Sequence, residues 1–178
     1  MGAMAEARRS DRIDLLISAL RNIPDLGIDP QPMGILIRLA RIAEVVDKIL
    51  EGVIQGELVR HKKDHDLLVA LLQSRRPLRN KDLEPLLNLK TPSVSQRVNR
   101  LVEAGLVLRV PVEHDSRANQ LTLTDLGRST TIKNIERAVS TQQALLHSAL
   151  TAEQIAVLET LLRDLNLSLG DAPTRHAG

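Results

Sequence analysis

The chain contains no cysteine, phenylalanine, tyrosine or tryptophan. Without cysteine there is no disulfide framework, no thiolate zinc site and no cysteine-based redox switch. Without aromatic rings the core must be built from leucine, isoleucine, valine, alanine and methionine. No ring is available to stack on a flipped base or a single strand, which weighs against RNA recognition through such platforms. Ring stacking is equally missing from any ligand site, and absorbance at 280 nm should be close to nil. No apolar run reaches the ~18 residues of a membrane-spanning helix. Residues 1–9 are polar, carry two arginines and lack the apolar stretch of a secretory signal. The expectation is a cytoplasmic protein with no membrane partner. Met1-Gly2-Ala3, ahead of Met4, reads as well as a cloning remnant as it does as a native start. Signatures of catalysis are missing too: no serine–histidine–acid spacing is recognisable, no glycine-rich phosphate loop occurs, and the five histidines are few and scattered. We therefore expect no enzyme, no cofactor and no metal.

What is present is a globular, helix-rich pattern. Of 178 residues, 43% are hydrophobic, too many for a disordered chain. Ile13, Leu16, Ile17 and Leu20 recur at helical spacing within residues 11–22, and Pro24, Gly27, Pro30 and Pro32 then break the chain. From Met33 to Leu58 the set Leu36, Leu39, Ile42, Ala43, Val46, Ile49, Leu50 and Val53 predicts one long amphipathic helix. The charged stretch His61–Asp66 is compatible with helix, and a short apolar helix over 66–74 follows. Two compact helices, over 82–87 and 91–104, are then separated only by Asn88–Lys90, a tight helix-to-helix turn. Pro85 costs ~3 kcal/mol inside a helix, so the first of these should start late, with Asp82 as its N-cap. Thr91-Pro92 predicts a start with Thr91 as N-cap, and Gly105 predicts a stop. Val94, Val98, Leu101 and Val102 form the apolar stripe of this second helix. Leu106–Val110 and Gln120–Thr124 read as strands joined by a hairpin loop over 111–119. Thr124 then caps a helix running to about Leu150, and Thr151 opens a last one.

Three segments in this order resemble a known family. Residues 82–101, DLEPLLNLKTPSVSQRVNRL, are similar to the helix-turn-helix of the MarR (multiple antibiotic resistance) transcriptional regulators. AGLVLR, residues 104–109, resembles the strand after their recognition helix. Asp115-Ser116-Arg117-Ala118, followed by Leu123-Thr124-x-x-Gly127, resembles their wing signature. The resemblance implies a mostly α fold with a small β-hairpin wing, in which a winged helix-turn-helix lobe is flanked by long dimerisation helices. It divides the chain into N-terminal dimerisation helices (1–60), the DNA-binding lobe (61–127) and C-terminal dimerisation helices (128–178). It further implies a sequence-specific, homodimeric regulator of double-stranded DNA, a repressor or activator often released by a small-molecule effector. Residues 91–101 would enter the major groove, with Ser93, Ser95, Gln96, Arg97 and Arg100 as the contact face. Amide and guanidinium groups such as those of Gln96 and Arg97 read adenine and guanine edges. Arg117 would enter the minor groove from the wing tip. Asp115 would brace the wing by pairing with Arg97, Arg100 or Arg109.

Charge placement supports that reading independently. The whole chain is only +2, but residues 75–128 hold ten basic and six acidic side chains, a local excess of +4. Two alternatives stay open. A winged helix can serve protein contact instead of DNA. His61 and His65, spaced i, i+4 beside Asp64 and Asp66, could face one metal in a metal-responsive regulator, although a polar helix corner explains them as well.

Overall fold

The computed structural model describes residues 10–112 and 115–170, with the backbone alone at Val112 and at 115–118. Residues 1–9, and with them the question of a cloning remnant, lie outside the described residues, as do Glu113 and His114 at the expected wing tip. The chain forms two compact units, Met1–Gly52 and Val53–Gly178.

The first unit holds helix α1 (Arg12–Arg21) and most of α2 (Gln31–Ile54). Asp11 caps α1: its carboxylate accepts from the Ile13 and Asp14 backbone N–H groups, and Asp14 returns a bond to the Asp11 N–H at 2.9 Å. Arg38 of α2 donates to both carboxylates, from Nε and Nη2 to Asp11 at 2.9 and 2.8 Å and from Nη2 to Asp14 at 2.6 Å. The Arg38 bond, helped by the backbone donors, brings the Asp11 pKa down to about 2. Gly34 lets the helices close, since a Cβ there would stand 3.1 Å from the Ile17 side chain. Ile13 and Ile17 fill this contact. Helix α2 stops at Ile54 rather than at the expected Leu58; the chain then bends over 56–58, with the Gly56 N–H donating to Val59 O at 2.8 Å.

The second unit contains α3 (Lys62–Gln73), α4 (Asn80–Leu87), α5 (Thr91–Glu103), β1 (Val107–Val112), β2 (Asp115–Leu123), α6 (Asp125–Ala149) and α7 (Ala152–Ser168). The described fold is thus mostly helical with one antiparallel hairpin. Leu67 and Leu68 of α3, Leu83 of α4, Val94, Val98 and Leu101 of α5, Leu106, Val107 and Leu121 are almost wholly buried. The expected apolar stripe of α5 is therefore its core face. Leu78 adds a bridge to the hairpin, exchanging backbone bonds of 2.7 and 3.1 Å with Leu121.

Helix α3 starts at Lys62, so the charged stretch compatible with helix is helical, as the first turn of α3. Local details depart from the expectations in three further places. Helix α4 does not start late: it runs regularly from Asn80 through Pro85, and Asp82 is its third residue rather than its N-cap. The Asp82 carboxylate accepts from the Arg79 N–H at 2.8 Å, which ties down the entry and offsets the bond that Pro85 cannot donate. Helix α5 takes Lys90 as N-cap, with Thr91 already helical, because the Thr91 hydroxyl donates to Glu84 Oε1 at 2.7 Å instead of accepting from its own helix. The wing strands are also longer than expected. Pro111 pairs with Asn119 and Val112 with Asp115, so Ala118 and Asn119 belong to β2 and do not close the turn. The register shift leaves 116–118 as extra residues on β2, a bulge that contains Arg117.

The return from the wing follows the expected capping. Thr124 Oγ1 accepts from the Gly127 N–H at 2.8 Å and donates to Gly105 O at 2.7 Å. Gly127 is required by contact: a Cβ there would lie 2.0 Å from the Leu106 carbonyl oxygen. Gly105, at φ +71°, ends α5 in the left-handed conformation, and the Leu106 N–H returns to Leu101 O at 2.9 Å.

Candidate nucleic-acid interface

Helix α5 is fixed on three sides. Its apolar stripe is buried, its first turn is tied to α4 by Thr91–Glu84, and Asn80 Nδ2 donates to Ser95 Oγ at 3.1 Å. Ser93 and Gln96 remain on the exposed face, while Ser95 is half-buried. Ser93 and Gln96 thus offer hydroxyl and amide groups without a side-chain partner among the described residues, on a rigid rod, as readout of base edges requires.

Arg97 and Arg100 behave differently. Both turn toward α3 and share one oxygen of Asp64: Arg97 Nη1 donates to Oδ1 at 2.8 Å and Arg100 Nη2 at 2.9 Å. The Asp64 side chain is 3% exposed, those of Arg97 and Arg100 20% and 32%. A buried carboxylate needs paired, hydrogen-bonded partners, and two guanidinium groups supply them. The Nε atoms of both arginines are buried and have no hydrogen-bond partner among the described residues. Asp64 therefore sets where these two positive charges sit. Sequence reasoning gave it no such role. The available signal was its position on the apolar stripe of α3 with Leu67, Leu68 and Leu71, where a charged residue must have a partner.

The wing carries the remaining expected residues. The side chains of Asp115 and Arg117 lie outside the described residues; their backbone belongs to β2. The arginines expected to pair with Asp115 have other described partners: Arg97 and Arg100 hold Asp64, and Arg109 Nη2 donates to Asn99 Oδ1 of α5. This last bond joins β1 to the recognition helix.

The two histidines differ in exposure. His61 precedes α3 as its N-cap and is exposed; His65 is 6% exposed, with Nδ1 unpartnered among the described residues. Burial pushes the His65 imidazole below its ordinary pKa, Asp66 opposing and Lys62 adding to the effect. No group of three or more metal-ligating side chains occurs among the described residues.

Comparison with known proteins places this lobe. Residues 62–118 match the model of the MarR family. The HTH-type transcriptional regulator PecS of Dickeya dadantii (strain 3937) is 27% identical over 141 residues, covering 78% of this chain and 82% of that protein. The crystal structure of a cysteine-to-serine mutant of MarR from E. coli superposes with a TM-score of 0.65 at 23% identity, covering 75% of this chain and 96% of that one. The same mutant complexed with operator DNA gives 0.56 at 22% identity, over 73% and 94%. NadR in complex with 4-hydroxyphenylacetate gives 0.55 at 24% identity, over 74% and 91%. Sequence match, relative and fold agree: residues 62–118 are similar to the MarR-family lobe, and the described fold is that of the MarR-type structures.

Proposed function

We propose that the protein is a ligand-responsive transcriptional regulator that binds a near-palindromic operator as a homodimer, most simply as a repressor. The carrying observation is helix α5, held rigidly beside an antiparallel wing with Ser93 and Gln96 facing outward. The operator-bound relative of the same fold supports this reading. Each protomer would place α5 in one major groove, the half-sites lying about one helical turn apart. Ser93, Ser95 and Gln96 would make the first contacts, Arg97 and Arg100 would present the positive charge that Asp64 positions, and Arg117 would enter the minor groove from the wing bulge. Residues 1–60 and 128–178 would supply the dimer helices. Four apolar residues of α2, Ile35, Leu36, Ile42 and Val45, are each more than half exposed, and α7 buries none of its residues. A helix with an apolar stripe does not keep it in water. A small-molecule effector is proposed from the complex of NadR with 4-hydroxyphenylacetate.

The test is an electrophoretic shift with the DNA upstream of the protein's own gene, repeated with Arg117→Ala. A shift that Arg117→Ala weakens without unfolding the protein supports the reading. Absence of any shift would sink it in favour of a protein-binding winged helix.

A further inference from the structure

Beside the start of α5 lies a hollow of about 500 Å³ whose rim comes from α4, α5 and both wing strands. Arg79 and Lys81 reach it from the entry of α4 and Arg109 from β1, with Ser95 and Asn119 between them. One acid, Glu84, lines it, and its carboxylate already accepts from the Thr91 hydroxyl. Among the described residues none of the three cations is in an ion pair. Arg109 is steadied by the neutral Asn99, which orients the guanidinium without cancelling its charge.

We infer that this hollow seats a backbone phosphate of duplex DNA, with Arg79, Lys81 and Arg109 as its cationic donors. The inference rests on the DNA-binding reading and adds a contact that none of the base-facing residues provides. Three uncompensated cations around one opening attract an oxyanion. Because α4, α5 and the wing all border the opening, a phosphate held there would set the register of the recognition helix on the duplex. Phosphate contacts position; they do not specify sequence.

The experiment measures binding to a mixed-sequence DNA duplex about three helical turns long, across a salt series, for the wild type, Lys81→Gln and Arg109→Gln. Lys133→Gln on α6 is the control, since that exposed lysine does not line the hollow. Thermal unfolding of each variant confirms that it is folded. Removing one of the cations that share this phosphate should flatten the slope of log affinity against log salt by up to about 0.9, the value for one whole phosphate. The expected result is a flatter slope and weaker binding for Lys81→Gln and Arg109→Gln, with Lys133→Gln like the wild type. A wild type that binds no DNA at all would overturn the DNA reading and this inference together. Normal binding with unchanged slopes in both variants would overturn this inference alone. So would thermal stabilisation of the wild type by inorganic phosphate, absent in Lys81→Gln, with the DNA slope unaltered, since the hollow would then hold a free anion.

Discussion

Asp64 brings a carboxylate into an almost solvent-free place and is tolerated there because two arginines converge on one of its oxygens. Removing one member of such a set strands the charge of the others. Asp64→Asn should cost about 3 kcal/mol in urea denaturation, the low end for a buried pair, because both guanidiniums still reach water. A loss within error would show that the arginines find other partners. His65, the next residue, makes stability depend on pH. Its native pKa lies below the ordinary 6.5, so as pH falls the unfolded chain takes up the proton first. The stability owed to neutral His65 is complete above 6.5 and declines as pH drops from there toward the native value. Thermal unfolding about one unit above and below 6.5 should show a drop in the wild type that shrinks in His65→Gln; equal drops would refute the assignment. The place of Asp64 on the α3 stripe signalled that it needs a partner, but not which one. The partners of Asp64 lie 33 and 36 residues away, and only folding reveals which stripe faces them.

At the scale of elements, legibility follows the range of the deciding interaction. Thr124, Gly105 and Thr151 were readable because capping is settled within a few residues. Pro85 is the exception: it misled although the bond that closes the α4 entry, Arg79 N–H to Asp82, is equally local, because the proline rule was weighed without the cap. The wing strands were read too short, because Pro111 and the charged residues after it look like a loop until cross-strand pairing extends them. The two glycines at the exits separate the causes. Gly105 has a positive φ and no atom within 4 Å of a virtual Cβ, whereas Gly127 faces backbone at 2.0 Å. Gly105→Ala should therefore cost about 1–2 kcal/mol of left-handed strain. Gly127→Ala should cost about 3 kcal/mol or more, since the Leu106 carbonyl cannot yield without moving the wing. Urea midpoints for the two variants check the order, and the reverse order would contradict it.

For the whole molecule, the likeness of residues 62–118 to the MarR lobe and the mostly helical fold with its hairpin were legible, because three short motifs stand in one continuous order. The self-association proposed for α2 and α7 came to the sequence through the resemblance, and apolar residues left exposed on both helices support it. Leu161 of α7 is 61% exposed. Leu161→Glu should convert a two-copy mass in light scattering to a one-copy mass and abolish the concentration dependence of Tm. A wild type of one-copy mass would remove the dimer from the proposal. The seam where Gly127 rests on Leu106 has a mechanical consequence. Gly105 and Leu106 close α5, lead into β1 and receive the bonds of Thr124 that open α6. Three elements thus meet at one dipeptide with no spare residue to absorb rotation. Helix α6 has 25 residues, a rod roughly 37 Å long at 1.5 Å per residue. Swinging its far end by about 3 Å would turn the near end by about 5°, and the seam would pass that rotation to α5 without slack: α6 is a lever arm and the glycine seat its fulcrum.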